Sequence, residues 1–325
     1  MPGDLGVINS LFEKVLSGYS ITKHDALELT KIPNNLSIYL YANANLIKNY
    51  FKGSKFTLCA IINAKSGICS EDCAFCAQSS ISKAKINKYP LLDKDLIIQK
   101  AHEIKSHGVK RFSIVTSGRK VSEKELLKIA EMINEIKKIG LIPCASLGIL
   151  DKKELKTLKL AGLDRYHHNL ETSERFFPKI CKSHSYIDKI KTIEKALSVG
   201  LSVCSGGIFG LGEDWEDRVD MAFKLRELKV DSIPINFFIP IKGTKLEKKK
   251  KLKPIDALKI ISLYRFILPD FEIRICGGRV QVLKELHPLV LFSGVDGLMT
   301  GNYLTTTGRD PVDDVNMIIS SGYQI

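Results

Sequence analysis

Arg111–Leu147 reads RFSIVTSGRKVSEKELLKIAEMINEIKKIGLIPCASL. Its two ends differ from its middle in period. Arg111–Ser117 and Ile142–Leu147 are short runs of β-branched and apolar residues, whereas Glu123–Ile139 sets Leu126, Leu127, Ile129, Ala130, Ile133 and Ile136 on one side at helical spacing. Strand, helix and strand in so short a span make a βαβ unit, whose strands run parallel.

The alternation continues on both sides. Phe56–Asn63, Arg165–Leu170, Ser202–Gly207, Ser232–Ile239, Phe271–Cys276 and Val295–Met299 also have β character, with helical patterns such as Tyr186–Val199 between most of them. Eight such runs predict an α/β fold, a closed (β/α)8 TIM-type barrel rather than an open doubly wound sheet. The runs are mostly one-sided or fully apolar, as strands covered on both faces should be. Ahead of them, helices are expected over Ile8–Ser17, from near Thr22, and over Leu36–Tyr50. The expected organisation is an N-terminal helical extension (1–50) and a barrel (51–325), with a short C-terminal cap after Met299 that holds a helix near Val312–Ser320.

Composition narrows the class. Apolar residues at 44% and charged residues at 26% suit a packed protein and exclude disorder as the main state. No apolar run reaches the ~18 residues that span a bilayer, and no signal peptide is read at the N-terminus. Lys and Arg number 49 against 36 Asp and Glu, a net charge of +13. The lysines are scattered, and the densest run, Lys245–Lys253, reads as a solvated loop. No basic stripe interleaved with aromatics supports nucleic-acid binding. Eight cysteines without a secretory signal point to reduced thiols in the cytoplasm, used for metal binding, catalysis or burial.

Three of those thiols lie just after the first β-type run, in SGICSEDCAFCAQSS (Ser66–Ser80), spaced C-x3-C-x2-C as Cys69, Cys73 and Cys76. A barrel puts its active site at this end of its strands. A tetrahedral zinc site would need a fourth ligand that the loop lacks. A [4Fe-4S] cluster held by three cysteines keeps one iron open for substrate.

The motif, with Phe75 before the last cysteine, resembles the radical S-adenosylmethionine enzymes. YHHNLETS (Tyr166–Ser173), VCSGGIFGLGE (Val203–Glu213), IPIN (Ile233–Asn236) and GNYLTTT (Gly301–Thr307) extend the resemblance to the biotin synthase family, in the family's order. The resemblance implies sulfur insertion into dethiobiotin, driven by radicals from S-adenosylmethionine, with sulfur supplied by an auxiliary Fe-S cluster. It implies flavodoxin or ferredoxin as electron donor, and a homodimer. The alternative is another radical enzyme on the same barrel, such as a cofactor maturase.

The resemblance also assigns residues. Phe75, Asn169, Glu171, Lys189, Gly206, Gly207 and Gly210 fall at S-adenosylmethionine-binding positions, and His167 and Asn236 at substrate positions. Asn169 and Glu171 are two apart at the end of the fourth run and are expected on one face. His168 is expected to turn away, and Cys181 to have no partner. In the family's usual form a [2Fe-2S] cluster sits on three cysteines and an arginine. Cys144, Cys204 and Arg274 match; the remaining cysteine position is Ser113. Cys276 and Cys59 are then expected to compensate, with Cys59, Cys144, Cys204 and Cys276 in one layer of the barrel. A four-iron auxiliary cluster would follow, with Arg274 as ligand or as a donor behind the ligands.

Overall fold

The computed structural model describes residues 2–67 and 69–325. Its strands are β1 (Thr57–Lys65), β2 (Arg111–Thr116), β3 (Ile142–Ser146), β4 (Arg165–His167), β5 (Ser202–Cys204), β6 (Gly207–Phe209), β7 (Ser232–Phe237), β8 (Glu272–Ile275) and β9 (Gly297–Met299). All pairings are parallel, and β1 pairs with both β2 and β9. β5 and β6 both lie against β7, so they are one stave with a break, and the barrel closes with eight staves. The break falls at Gly206, where a Cβ would stand 2.1 Å from the Pro234 carbonyl oxygen. Only glycine fits so close a backbone approach.

Most expected runs are shorter than read, and the fourth has a consequence for the site. The fourth strand ends at His167, and Glu171 has a left-handed φ of 73°. Asn169 and Glu171 therefore sit in a loop. They still meet, with Asn169 Nδ2 donating to Glu171 Oε2 at 3.3 Å, but through the loop's path and not through strand parity.

Register explains which side chains share a level inside. Cys59 faces Arg111, which faces Ile142, and Cys144 is two residues on. Cys144 faces Arg165, then Ser202, and Cys204 is two on. Cys204 faces Ser232, then Glu272, and Arg274 is two on. Arg274 faces Gly297, then Thr57, and two more residues return to Cys59. An advance of two residues at every second strand is the stagger of an eight-stranded barrel whose layers take four side chains from alternate strands. The layer is Cys59, Cys144, Cys204 and Arg274. Cys276 lies two residues nearer the mouth than Arg274, so the expected four-cysteine layer is corrected to three cysteines and a guanidinium. By the same count Arg111 and Arg165 lie one half-step below this layer, and Ser113 and His167 one half-step above.

The outward side chains of the staves are apolar and buried: Phe112, Ile114, Tyr166, Val203, Ile233 and Ile273 are each fully covered. Each such side chain contributes about 1.5–3 kcal/mol when taken from water. The inward faces are not apolar as expected but carry Arg, Cys, Ser and His, which leaves a lined cavity where other barrels have a filled core. Helices cover the outside, among them Glu123–Lys138, which starts in a reciprocal cap between Ser122 and Glu125. The N-terminal helices Pro2–Leu16, Lys23–Thr30 and Ser37–Lys52 pack on the barrel helix Pro254–Ile267 and its neighbours. Tyr41 donates to the Ile255 carbonyl at 3.0 Å and Lys259 to that of Ile32 at 2.7 Å.

Candidate active site

The cavity opens at the C-terminal ends of the staves and has a volume of about 460 Å³. Cys69, Cys73 and Cys76 line its mouth, half-buried, together with Phe75. Their loop is held by its own neighbours. Gly67 N donates to Gln78 Oε1 at 2.9 Å, and Ser79 Oγ to the Glu71 carbonyl at 2.8 Å. A second clasp comes from residues 180–184. Ala74 N donates to the Ile180 carbonyl at 2.8 Å, and Asp72 Oδ1 accepts from Lys182 N and Ser183 N at 2.9 and 3.0 Å. Cys181 belongs to this clasp. Its Sγ lies 3.8 Å from that of Cys73, which corrects the expectation that it has no partner.

Burial pushes the Cys76 thiol up to about 11, with nearby Cys69 and Glu171 adding to the rise. The hydrogen bond to Cys181 and burial push Cys73 up as well. Three half-buried thiols on one loop, facing one cavity, suit an iron cluster whose cationic irons favour their thiolate form.

Beside this loop, Asn169 Oδ1 accepts from Gly206 N at 3.1 Å, and Glu171 Oε1 lies 3.9 Å from the Lys189 ammonium. Lys189 is thus close to a carboxylate of this chain. Gly206, Gly207 and Gly210 do not line the cavity. Cβ atoms there would meet the Pro234 carbonyl oxygen at 2.1 Å, the Glu171 carbonyl oxygen at 2.6 Å and Leu252 at 3.0 Å. The glycines let this chain pack on itself.

Deeper in, His167 faces the cavity, and burial pushes its imidazole down to about 4, so the ring is neutral at physiological pH. His168, expected to turn away, also borders the cavity, and its Nε2 has no hydrogen-bond partner among the described residues. Asn236 donates to the Gly207 carbonyl at 3.2 Å and accepts from Gly277 N at 3.0 Å, which fixes its amide at the wall.

At the bottom lies the cysteine layer. Burial raises the thiols of Cys59, Cys204 and Cys276, against the pull of Arg274. Cys144 is pushed to about 11 by burial, against the pull of Arg111 and Arg165. Ser113 pairs in register with Cys144 and lines the same space. Arg274 is tied down: it donates to Thr57 Oγ1 at 2.6 Å and bonds Glu272, whose other oxygen accepts from Arg165 at 2.7 Å. Arg111 and Arg165 were not singled out in the sequence. Their signal was there, since each precedes an inward residue (Ser113, His167) by two positions on the same strand. Four thiols above a guanidinium floor form a donor set for an anionic iron–sulfur centre.

A parallel eight-staved barrel with C-x3-C-x2-C at its mouth defines a radical S-adenosylmethionine enzyme. Residues 64–225 match the Radical SAM superfamily, and residues 234–324 the Biotin and Thiamin Synthesis associated domain. The biotin synthase of Thermodesulfovibrio yellowstonii is 57% identical over 286 residues, 88% of this chain and 90% of that one. That of Clostridium botulinum is 47% identical over 99% of this chain and 100% of its own. The chain belongs to the biotin synthase family. Among solved structures, methylornithine synthase (PylB) superposes with a TM-score of 0.85 at 22% identity, over 97% of this chain and 96% of that one. The hydrogenase maturase HydG of Carboxydothermus hydrogenoformans does so with 0.83 at 18%, over 97% and 78%. At these identities the two share the fold. As a family member the chain is a radical enzyme of sulfur insertion, with a [4Fe-4S] cluster, S-adenosylmethionine and an auxiliary iron–sulfur cluster as cofactors.

Proposed function

We propose that this chain converts dethiobiotin to biotin around an auxiliary centre held by Cys59, Cys144, Cys204 and Cys276, with Ser113 outside the ligand set and Arg274 behind it. The observation that carries this reading is the closed layer of Cys59, Cys144, Cys204 and Arg274, with Cys276 just above it. Four thiols outnumber the three cysteines of a three-cysteine, one-arginine site. Arg274, in the same layer but engaged by Thr57 and Glu272, serves as a fixed charge beside the thiols.

The cofactors supply the one-electron chemistry and the sulfur when bound. The chain supplies position and exclusion of water. Cys69, Cys73 and Cys76 hold the mouth cluster. Asn169 and Glu171, bonded to each other, would offer polar groups to the ribose of S-adenosylmethionine, Lys189 would offer its charge to the carboxylate, and Phe75 would offer apolar surface. Neutral His167 and the fixed amide of Asn236 orient the substrate between mouth and floor. A neutral imidazole there can donate to a ureido oxygen without adding charge.

The partner that delivers electrons is proposed to be a flavodoxin or ferredoxin, acidic carriers that a net charge of +13 would attract. A homodimer is proposed too, supported by the exposed stripe Tyr39, Leu46 and Tyr50 along Ser37–Lys52. No helix among the described residues is long and apolar enough to cross a membrane. A cytoplasmic location is proposed from eight free cysteines.

The test is iron and labile sulfide per chain after anaerobic reconstitution, read with Mössbauer spectra and followed by dethiobiotin-dependent 5′-deoxyadenosine formation. About eight irons without a [2Fe-2S] signal is the expected result. About six irons with that signal would return Arg274 or Ser113 to the ligand set. Four irons would remove the sulfur-inserting reading.

A further inference from the structure

Residues 180–184 place a second group of metal-ligating atoms beside the mouth loop. Cys181 Sγ lies 3.4 Å from His184 Nδ1 and 3.8 Å from Cys73 Sγ. His184 Nδ1 lies 2.5 Å from Glu71 Oε2. Glu71 and Cys181 are buried, and the His184 side chain is only 6% exposed. The ligand atoms of Glu71, Cys181 and His184 all fall within 4.8 Å of one another.

These spacings have a metric meaning. A tetrahedral ion with metal–sulfur bonds of about 2.3 Å and metal–nitrogen bonds of about 2.0–2.1 Å holds two sulfurs about 3.8 Å apart, and a sulfur and a nitrogen about 3.6 Å apart. The Cys73–Cys181 distance of 3.8 Å equals the first value, and the Cys181–His184 distance of 3.4 Å is slightly shorter than the second. Asp72 is the nearest carboxylate to Cys181, at 3.3 Å, but two backbone N–H groups already engage it. Glu71 is held by side chains instead, Oε2 accepting from Ser183 Oγ at 2.6 Å and meeting His184, so it can exchange these bonds for one to an ion.

We infer that Cys181, His184 and Glu71 form a binding site for one thiophilic divalent cation, of the ferrous or zinc class, in the protein before its mouth cluster is built, completed by Cys73, whose Sγ lies beside that of Cys181 but outside the reach the other three share and must swing in to join them. The inference rests on Cys73 being a ligand of that cluster. Because Cys73 belongs to both sets, the single ion and the finished cluster exclude each other there. An iron held at this site is one thiolate away from the cluster loop, so the site stages metal for assembly. Binding displaces the thiol protons of Cys73 and Cys181 to water, and the proton between His184 Nδ1 and Glu71 leaves as well, to Nε2 of the ring or to water, so that the hydrogen bond gives way to two metal bonds.

The test uses full-length, cluster-free, thiol-reduced protein under anaerobic conditions, titrated with Co(II) alone. Parent protein is compared with Cys181→Ser, His184→Gln and Glu71→Gln, which keep size and hydrogen bonding. The parent should bind one more tight equivalent than Cys181→Ser and His184→Gln, with the intense visible bands of tetrahedral thiolate-bound cobalt. Glu71→Gln should bind that equivalent at least tenfold more weakly. Should either of the first two variants fail to fold by circular dichroism, Glu71→Gln decides. Equal cobalt in parent and variants, or loss in Cys181→Ser alone, would make the group a hydrogen-bonded clasp and overturn the inference. Iron content and S-adenosylmethionine cleavage of the reconstituted parent report separately on whether Cys73 serves a cluster at all.

Discussion

Arg165 and Glu272 meet on the barrel floor, Nη1 to Oε2 at 2.7 Å, and join β4 to β8 beneath the cysteine layer. The second carboxylate oxygen bonds Arg274. One buried acid thus holds two buried guanidiniums. Burial alone would raise the Glu272 pKa, but Arg274 and Arg165 hold it at about 2. A carboxylate depressed in the folded state contributes stability above its unfolded pKa, and that contribution is lost as pH falls through the folded value. The window here runs from about pH 5 down to about 2, and the contribution is roughly 3 kcal/mol. Glu272→Gln should lower the urea stability of the cluster-free protein at pH 7 by a similar amount. It should also flatten the acid limb. Unchanged stability at pH 7 would show that the arginines find other partners.

Gly206 is the break in the fifth stave. An alanine there would put its Cβ 2.1 Å from the Pro234 carbonyl oxygen and 3.0 Å from its ring, with no flexible group to yield. Gly206→Ala should cost more than about 3 kcal/mol and reduce soluble yield. Gly301, with nothing within 4 Å of such a Cβ, carries a φ of +77° and tests strain alone. Gly301→Ala should cost about 1 kcal/mol. Chemical denaturation of the two variants separates close approach from backbone strain.

Much of this architecture was legible because period and parity survive in the sequence. The βαβ unit at Arg111–Leu147 shows as a change of period, and Cys144 and Cys204 show as inward positions on odd staves. The stagger between staves does not show. It decides that Arg274 rather than Cys276 completes the layer of Cys59, Cys144 and Cys204, and it is a property of the closed barrel. The clasp of Cys181 and His184 on Glu71 and Asp72 was hidden for another reason. It joins residues more than a hundred positions apart through a loop, where no periodicity points to a partner. Asn169 and Glu171 were rightly expected to meet, but for the wrong physical reason, since the strand stops at His167.

His167 is buried enough that its imidazole is neutral down to about pH 4. An unfolded histidine takes up its proton near 6.5, so this group removes stability as pH falls from about 6.5 to 4. His167→Asn should flatten that part of the pH–stability curve. As one hydrogen bond to substrate is worth about 1 kcal/mol, His167→Leu should raise the half-saturating dethiobiotin concentration several-fold. Binding of S-adenosylmethionine should be unchanged. An unchanged substrate titration with a flattened stability curve would make His167 purely structural.

Cys59 and Ser113 stand on adjacent staves, and only one of them is a thiol. In Cys59→Ser the layer keeps Cys144, Cys204 and Arg274, so the reconstituted protein should fall from about eight irons per chain toward four, with the mouth cluster intact by its spectra. Restoring a thiol with Ser113→Cys in the same chain should recover inner iron. A full eight irons in Cys59→Ser would remove Cys59 from the ligand set.

Electron entry should depend on the basic segments that flank the mouth loop. Lys83, Lys85 and Lys88 follow Cys76 and are exposed, as are Lys248, Lys249, Lys250 and Lys251. The two segments touch, with Lys83 N donating to the Gly243 carbonyl at 2.8 Å. Glu247, the exposed acid among them, accepts from Gly243 N and is partly spent. The run that reads as a solvated loop is therefore joined through Gly243 to the basic segment that follows Cys76. Steering by such segments falls with salt over a screening length of about 10 Å at 0.1 M. Replacing Lys248, Lys250 and Lys251 by Glu should slow 5′-deoxyadenosine formation driven by an acidic flavodoxin about tenfold at low salt, and should remove most of its salt dependence. Formation driven by dithionite, a small reductant that needs no docking, should be unchanged. Equal loss with both reductants would place the effect on the mouth loop itself, and no loss with either would leave these segments without a part in electron delivery.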